Sequence, residues 1–281
     1  MIYKNILDLI GNTPIINYQD IFIKLESFNL AGSIKDRVAL KILEQLIKES
    51  KINQDSTVIE VTSGNTGIAI AMVCAIKHLK CIIVMQDNVN VEKISILKAY
   101  GAQVILTPSK LGLKYAIDYA KKLAETNKYI YLNQFENYNN VLAHETTAKE
   151  IINEFENIDY FICGIGTGGS ITGISKILKE KYPNIKIIGV LPSEINHGIQ
   201  GIGAGFDLNL LELSLIDKVE TVSTKEAIDE FLSLSKDGLL LGISSAANYK
   251  VAKKIKKENI DKTILMISSD SGHKYLGDII V

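Results

Sequence analysis

Arginine is almost absent from this chain of 281 residues: of its 31 basic residues, Arg37 alone is an arginine. Lysine is a point charge and cannot reproduce a planar five-donor fork. Arg37, inside Gly32-Ser33-Ile34-Lys35-Asp36-Arg37, is therefore expected to make a buried or bidentate contact, the alternative being a chance survivor on a surface helix. Cysteine is sparse as well. Cys74, Cys81 and Cys163 sit in apolar runs without CxxC spacing, which argues against a disulfide framework and a metal site and suits a reducing cytoplasm. An excess of one charge is missing too, since the net charge is −1. A nucleic-acid binder that neutralises phosphates is normally far more basic. No apolar run approaches the about 18 residues of a membrane span, and the first residues are too short and too charged for a signal peptide. What is present is ordinary: 47% hydrophobic and 22% charged residues exclude a disordered or fibrous chain. The length suits two domains, or a single large α/β domain.

Apolar, β-branched runs alternate with segments of helical period. Strands are expected at 21–25, 57–61, 81–85, 103–106, 129–132, 160–163, 186–191, 218–222 and 263–267. Helices are expected at 36–49, 66–79, 91–100, 111–126, 139–154, 168–181, 224–235, 244–257 and 271–279. Such alternation predicts parallel sheets covered by helices on both faces. Segment 192–217, with Gly198, Gly201, Gly203 and Gly205, breaks the rhythm, and a long loop in a compact domain is usually functional. Ligands of doubly wound sheets bind beyond the carboxyl ends of the strands, so the turns after strands are where chemistry is expected.

Three turns stand out. Thr62-Ser63-Gly64-Asn65-Thr66 follows a strand and opens a helix. Hydroxyls and backbone N–H groups at a helix N-terminus suit an anion. With no cation in the turn, a small carboxylate fits better than a polyphosphate. Plain N-capping by Ser63 or Thr66 is the alternative. The second turn, Gly164-Ile165-Gly166-Thr167-Gly168-Gly169-Ser170, lets backbone amides approach a phosphate. It contains GxGxxG, but a dinucleotide site needs an acidic residue about 20 positions on, at the end of the next strand. That strand ends at Leu191-Pro192 with Glu194 displaced into the loop, so a single phosphate monoester is the simpler occupant. The third turn, Gly242-Ile243-Ser244-Ser245, is explained equally well by a serine N-cap.

Lys35 follows a Gly-Ser turn at the start of the first helix. Taken singly it is one lysine among thirty, and a solvated surface residue. A phosphate site, a carboxylate cradle and a lysine able to form a Schiff base together suggest pyridoxal phosphate. His78, His144, His197 and His273 are isolated and lack metal-ligand spacing, which suits structural or surface roles. His197 borders the glycine-rich loop, and Asp270 and Ser271 follow a late strand.

The motifs Gly11-Asn12-Thr13-Pro14, Lys24-Leu25-Glu26, Gly32 to Arg37, Thr62 to Gly67, Gln134-Phe135, Gly166 to Ser170, Ile199 to Phe206 and Gly242 to Ser245 occur in order along nearly the whole chain. In this the chain resembles the cysteine synthase (O-acetylserine sulfhydrylase) and cystathionine β-synthase family of pyridoxal-phosphate enzymes, fold type II. The resemblance implies two doubly wound α/β domains with mostly parallel sheets and the cofactor in the cleft between them, as in the tryptophan synthase β chain. The smaller, mobile domain would span 35–141, and the larger cofactor-binding domain 1–34 plus 142–281. Lys35 becomes the lysine that carries the cofactor and acts as the catalytic base. Asn65 would meet the cofactor's O3′, Gly166, Thr167, Gly168, Gly169 and Ser170 the phosphate, and Ser244 the pyridine nitrogen. Thr62, Ser63, Gly64, Asn65 and Thr66, with Gln134 and Gly201, would bind the amino-acid substrate. A neutral hydroxyl at the ring nitrogen makes a weaker electron sink than a carboxylate would, which suits α,β-elimination.

The implied reaction is β-replacement through an aminoacrylate, making L-cysteine from O-acetyl-L-serine and sulfide. Alternatives are cysteine-consuming β-replacement, in which water or a thiol is the nucleophile and hydrogen sulfide is released, and cystathionine β-synthase-like activity. A different class, a partner protein that docks another enzyme's tail such as that of a serine acetyltransferase, is disfavoured as the sole role by the intact Lys35. The family also implies a cytoplasmic homodimer. Departures lie at Tyr138-Asn139, where the family usually has Pro-Ala, at Ala246 for glycine, at Ser170 for threonine, and in a short loop before His197. None touches Lys35, and together they leave the second substrate open.

Overall fold

The computed structural model describes residues 2–62, 64–205 and 208–279. The chain divides into two compact units, residues 1–10 with 35–140 and residues 11–34 with 141–281. The sequence reading assigns residues 1–10 to the larger domain. In the structure a 3-10 turn at Ile6–Leu9, held by an Asn5 capping box, packs on the smaller unit's second helix.

In the smaller unit the chain runs α1 (Lys35–Lys48), β1 (Thr57–Val61), α2 (Asn65–Lys77), β2 (Lys80–Gln86), α3 (Val91–Ala99), β3 (Gln103–Thr107), α4 (Gly112–Asn127) and β4 (Ile130–Tyr131). The four strands are all parallel, in the order β3-β2-β1-β4. Ile59, Val61, Ile82 and Val84 of the sheet bury against Ala116, Ala120 and Ala124, an i, i+4 stripe on α4. The strands step outward from β1 to β3, then return to β4 on the other side of β1. That reversal opens a crevice beyond the carboxyl ends of β1 and β4, where open sheets bind ligands.

The larger unit holds a six-stranded sheet. Two N-terminal strands, βA (Ile15–Tyr18) and βB (Ile21–Leu25), precede the smaller unit in the chain; β5 (Tyr160–Gly164), β6 (Lys186–Pro192), β7 (Lys218–Val222) and β8 (Ile264–Ser268) follow it. Its order is βA-βB-β8-β5-β6-β7, and the pair βA–βB is antiparallel while every other pair is parallel. Alternation along β5, β6 and β8 sends Phe161, Cys163, Ile187, Leu265 and Ile267 into one core and Ile162, Ile188, Val190, Ile264 and Met266 into the other. Helices α6 (Glu145–Glu154) and α7 (Gly169–Lys181) cover the first face; α8 (Thr224–Lys236) and α9 (Ile243–Glu258) cover the second. Burial on both faces is why these strands read as continuous apolar runs. The reversal here falls between β5 and β8.

The expectation of α/β architecture with mostly parallel sheets holds. Three local features differ from the sequence reading. The strand βA is unexpected: its hairpin turns through Gln19 and Asp20, both left-handed at φ 50° and 58°, without the Asn-Gly or Gly that announces such a turn. The helix expected at 139–154 is two, a short α5 (Asn139–Leu142) and α6. The segment expected as a helix at 271–279 is a 3-10 turn at Gly272–Lys274 followed by the short α10 (Leu276–Ile279). Among the described residues no helix is long and apolar enough to cross a membrane, and no cluster of His, Cys, Asp or Glu is placed to hold a metal ion.

Candidate functional site

The turn after β1 is built at the smaller unit's crevice. Gly64 is the N-cap of α2 and offers no side chain to it; Asn65 is the helix's first residue. The hydroxyl of Thr62 accepts the N–H of Gly64 at 3.1 Å and so shapes the turn. Thr66 does not cap the helix: its hydroxyl donates to Oε1 of Gln134 at 2.7 Å. The amide of Gln134 in turn donates to the Val61 carbonyl at 2.8 Å. Gln134, beyond β4, is thereby brought onto the turn beyond β1, leaving one amide N–H for a ligand. Ser63 lies outside the described residues. Lys35 opens α1, which packs on α2, and both Asp36 and Arg37 are buried behind it, so the expected burial of the single arginine is met.

Behind the turn lies Glu60, fully buried on β1. Its carboxyl accepts the N–H of Val61 at 2.8 Å and that of Gln134 at 3.0 Å. Burial outweighs these bonds and pushes its pKa up to about 8. The acid therefore fixes the backbone of Gln134 as Thr66 fixes its side chain. No spacing rule in the sequence singled Glu60 out.

The larger unit's crevice holds the glycine turn. A Cβ on Gly166 would lie 2.3 Å from the carbonyl oxygen of Gly201, and one on Gly168, left-handed at φ 88°, would lie 2.8 Å from the N of Leu211. These glycines let the 201–203 loop and the 208–211 segment close on the turn, and Gly203 N–H donates to the Ile165 carbonyl at 2.9 Å. Gly168 is the N-cap of α7 and gives it no side-chain cap. The N–H groups of the first helical turn are thus directed at the crevice, the arrangement that binds phosphate. Thr167 Oγ1 accepts the Gly169 N–H at 3.3 Å.

Ser170 pairs with Nε2 of His144 at 2.9 Å, and His144 Nδ1 with Thr147 at 3.3 Å. His144 is fully buried and supports the turn from beneath, a structural role of the kind its isolated position in the sequence suits. His197 holds the neighbouring loop. Its Nδ1 accepts the Ile199 N–H at 3.2 Å, so Nε2 carries the proton toward the Gly203 carbonyl at 3.1 Å.

Ser244 lies within the first turn of α9, whose N-cap is Gly242, so the serine N-cap alternative is not what forms. Its residue is 5% exposed, and its hydroxyl makes no hydrogen bond among the described residues. Ser245 accepts the Ser269 N–H at 2.9 Å. Asp270, beyond β8, packs on Gly242, whose backbone N–H donates to the Asp270 carbonyl at 3.0 Å. Tyr275 donates its hydroxyl to the Asp270 carboxylate.

A glycine-lined helix start whose N-cap residue has no side chain fits a phosphate monoester, and a nearly buried serine hydroxyl without a partner among the described residues fits a neutral contact to a ring nitrogen. Fold and turns define an α/β protein with two glycine-capped helix starts of the kind that bind anions. The chain belongs to the pyridoxal-phosphate dependent enzyme family, whose model matches residues 6–270. It is 42% identical to cysteine synthase B of Campylobacter jejuni over 98% of this chain and 97% of that protein. Two solved structures are similar. One is a hydrogen sulfide-producing enzyme from Fusobacterium nucleatum, with a TM-score of 0.92 and 42% identity over 98% of this chain and 100% of that one. The other is the O-acetylserine dependent cystathionine β-synthase from Helicobacter pylori, with a TM-score of 0.93 and 37% identity over 99% and 98%.

Proposed function

We propose that this chain catalyses β-replacement on an amino acid, making L-cysteine from O-acetyl-L-serine and sulfide. The observation that carries this reading is the nearly full-length likeness to the Campylobacter jejuni cysteine synthase B. The two turns built at the crevices agree with it.

When bound, pyridoxal phosphate supplies an electron sink for the charge left at the substrate α-carbon. The chain's own residues do the rest. Lys35 would hold the cofactor covalently, and its free amine would take the substrate's α-proton. Gly166, Thr167, Gly168, Gly169 and Ser170 grip the phosphate with backbone N–H groups and hydroxyls. Ser244 meets the ring nitrogen without imposing a charge on it. Asn65 orients the ring oxygen. Thr62 to Thr66 and the spare amide N–H of Gln134 hold the α-carboxylate, and Gly201 shapes the mouth beside the phosphate turn. Fixing the carboxylate sets which bond at the α-carbon stands ready for proton removal.

The test is a comparison of initial rates on O-acetylserine plus sulfide with rates on cysteine alone, together with the absorbance of the purified protein. Cysteine formation from the first pair is expected, with a loss of at least about 1,000-fold for Lys35→Ala. Turnover of cysteine alone would replace synthesis with the hydrogen sulfide-releasing reaction of the kind named for the Fusobacterium enzyme. Absence of both would refute the β-replacement reading. A homodimer in the cytoplasm, and docking of a serine acetyltransferase tail, belong to the same proposal; sedimentation and a tail-peptide titration test them.

A further inference from the structure

Both nitrogens of the His197 ring are committed to the backbone of one loop. Nδ1 accepts the Ile199 N–H at 3.2 Å, and Nε2 donates to the Gly203 carbonyl at 3.1 Å. Gly203 is left-handed at φ 69°, and a Cβ there would lie 2.7 Å from His197 Nε2 and 2.7 Å from Cγ of Pro192. Glycine alone fits against the ring, and glycine is also the residue whose backbone has most freedom to lose. The imidazole holds its carbonyl. The N–H of the same glycine donates to the Ile165 carbonyl at 2.9 Å, while the Ile165 N–H donates to Val190 of β6 at 2.9 Å. The Ile165 carbonyl shares a peptide unit with the N–H of Gly166. That unit is planar and trans, so an oxygen fixed toward Gly203 turns the Gly166 N–H the opposite way, away from the loop. Neighbours in the loop press on the same turn. A Cβ on Gly166 would lie 2.3 Å from the Gly201 carbonyl oxygen, and one on Gly164 would lie 2.6 Å from Cγ2 of Ile202.

We infer that His197 is a positioning residue for the cofactor phosphate: acting through Gly203 and Ile165, it aims the Gly166 N–H at the phosphate group. The inference rests on the proposed function, because that reading seats the phosphate on this turn. A donor aimed before the ligand arrives loses no freedom when it binds. His197 itself need not touch the cofactor. It follows that a ligand with the same ring and aldehyde but no phosphate gains nothing from His197.

The experiment titrates the full chain, freed of cofactor, and its His197→Phe variant with pyridoxal 5′-phosphate and with pyridoxal, following the absorbance of the bound ring. Binding is read without turnover. Phenylalanine keeps a ring of similar size and removes both nitrogens. His197→Phe is expected to raise the dissociation constant for pyridoxal phosphate roughly 10-fold, the size of one misaimed charge-assisted hydrogen bond, and to leave that for pyridoxal within about twofold. His197→Gln, whose amide N–H reaches the position of Nε2, is expected to recover most of the loss. His197→Asn, which replaces Nδ1 alone, is not. An equal loss for both aldehydes would mean that the ring only stabilises the fold, and overturns the inference. No change for either overturns it as well, and so does recovery by asparagine but not by glutamine. If the phenylalanine variant does not fold, the asparagine variant is judged by the same ratio. A wild-type chain that binds pyridoxal as tightly as pyridoxal phosphate would instead refute the proposed phosphate site, and this inference with it.

Discussion

Replacing Glu60 by glutamine should change how stability depends on pH. The carboxyl is fully buried, and its pKa is pushed up to about 8 by burial, from 4.5 in the unfolded chain. A carboxyl raised in the native state contributes most below the unfolded value, and that contribution is lost as pH climbs through the folded value. The lost stability amounts to about 1.4 kcal/mol per pH unit across this window. Between pH 5.5 and 8 the native state therefore loses about 3 kcal/mol through this single group. Two other titratable groups face it. Cys81 on β2 is raised well above the usual thiol value, chiefly by its hydrogen bond with Cys74, and Tyr131 on β4 is raised by burial. Neither ionises in the window. Urea denaturation of wild type and Glu60→Gln at half-unit steps of pH measures the effect, since all other groups contribute alike to both proteins. The stability of wild type relative to the variant should fall by about 3 kcal/mol as pH rises from 5.5 to 8. Parallel curves would show that Glu60 is ionised throughout and would refute the argument.

Gly168→Ala should destabilise the protein by roughly 2 kcal/mol or more, because it combines a left-handed φ with a clash against Leu211; a thermal midpoint unchanged from wild type would contradict this. His144→Ala removes the partner of Ser170 and should weaken pyridoxal phosphate binding about 10-fold, or by about 1–2 kcal/mol, read by equilibrium dialysis. Lys24→Met leaves Glu150 without an ammonium that is 2.7 Å away and almost wholly buried. It should cost roughly 3 kcal/mol in urea denaturation, and adding Glu150→Leu should recover much of that.

The strands of both sheets were legible because burial on two faces forces unbroken β-branched runs, and the turns after β1 and β5 because a ligand-binding helix start needs glycine and hydroxyls in one short segment. Local signals fail where a structure depends on a distant partner. The break between α5 and α6 is one instance. A Cβ on Gly173 of α7 would lie 2.2 Å from the carbonyl oxygen of Val141 and 3.0 Å from the His144 Cβ, so a missing side chain on one helix lets the break in another pack against it. Nothing between 139 and 154 encodes that gap.

The turn after β1 shows the same limit. Its hydroxyls, its glycine and its helix start are contiguous in the chain, so they could be recognised together. A packing partner is not contiguous: Lys93 reaches Gly64 from α3, across a helix, a strand and a turn, and among thirty lysines no periodicity marks that contact. Glu60 is hidden in a different way, since an acid inside an apolar strand breaks the pattern at one position and does not say what it bonds. Both residues act on Thr62 to Thr66 or on Gln134 through space, one by packing on Gly64 and one by holding a backbone N–H. The motif therefore shows the groups that lie together in the chain, while the residues that pack on them or hold their backbone become visible once β1, β4 and α3 are folded around them.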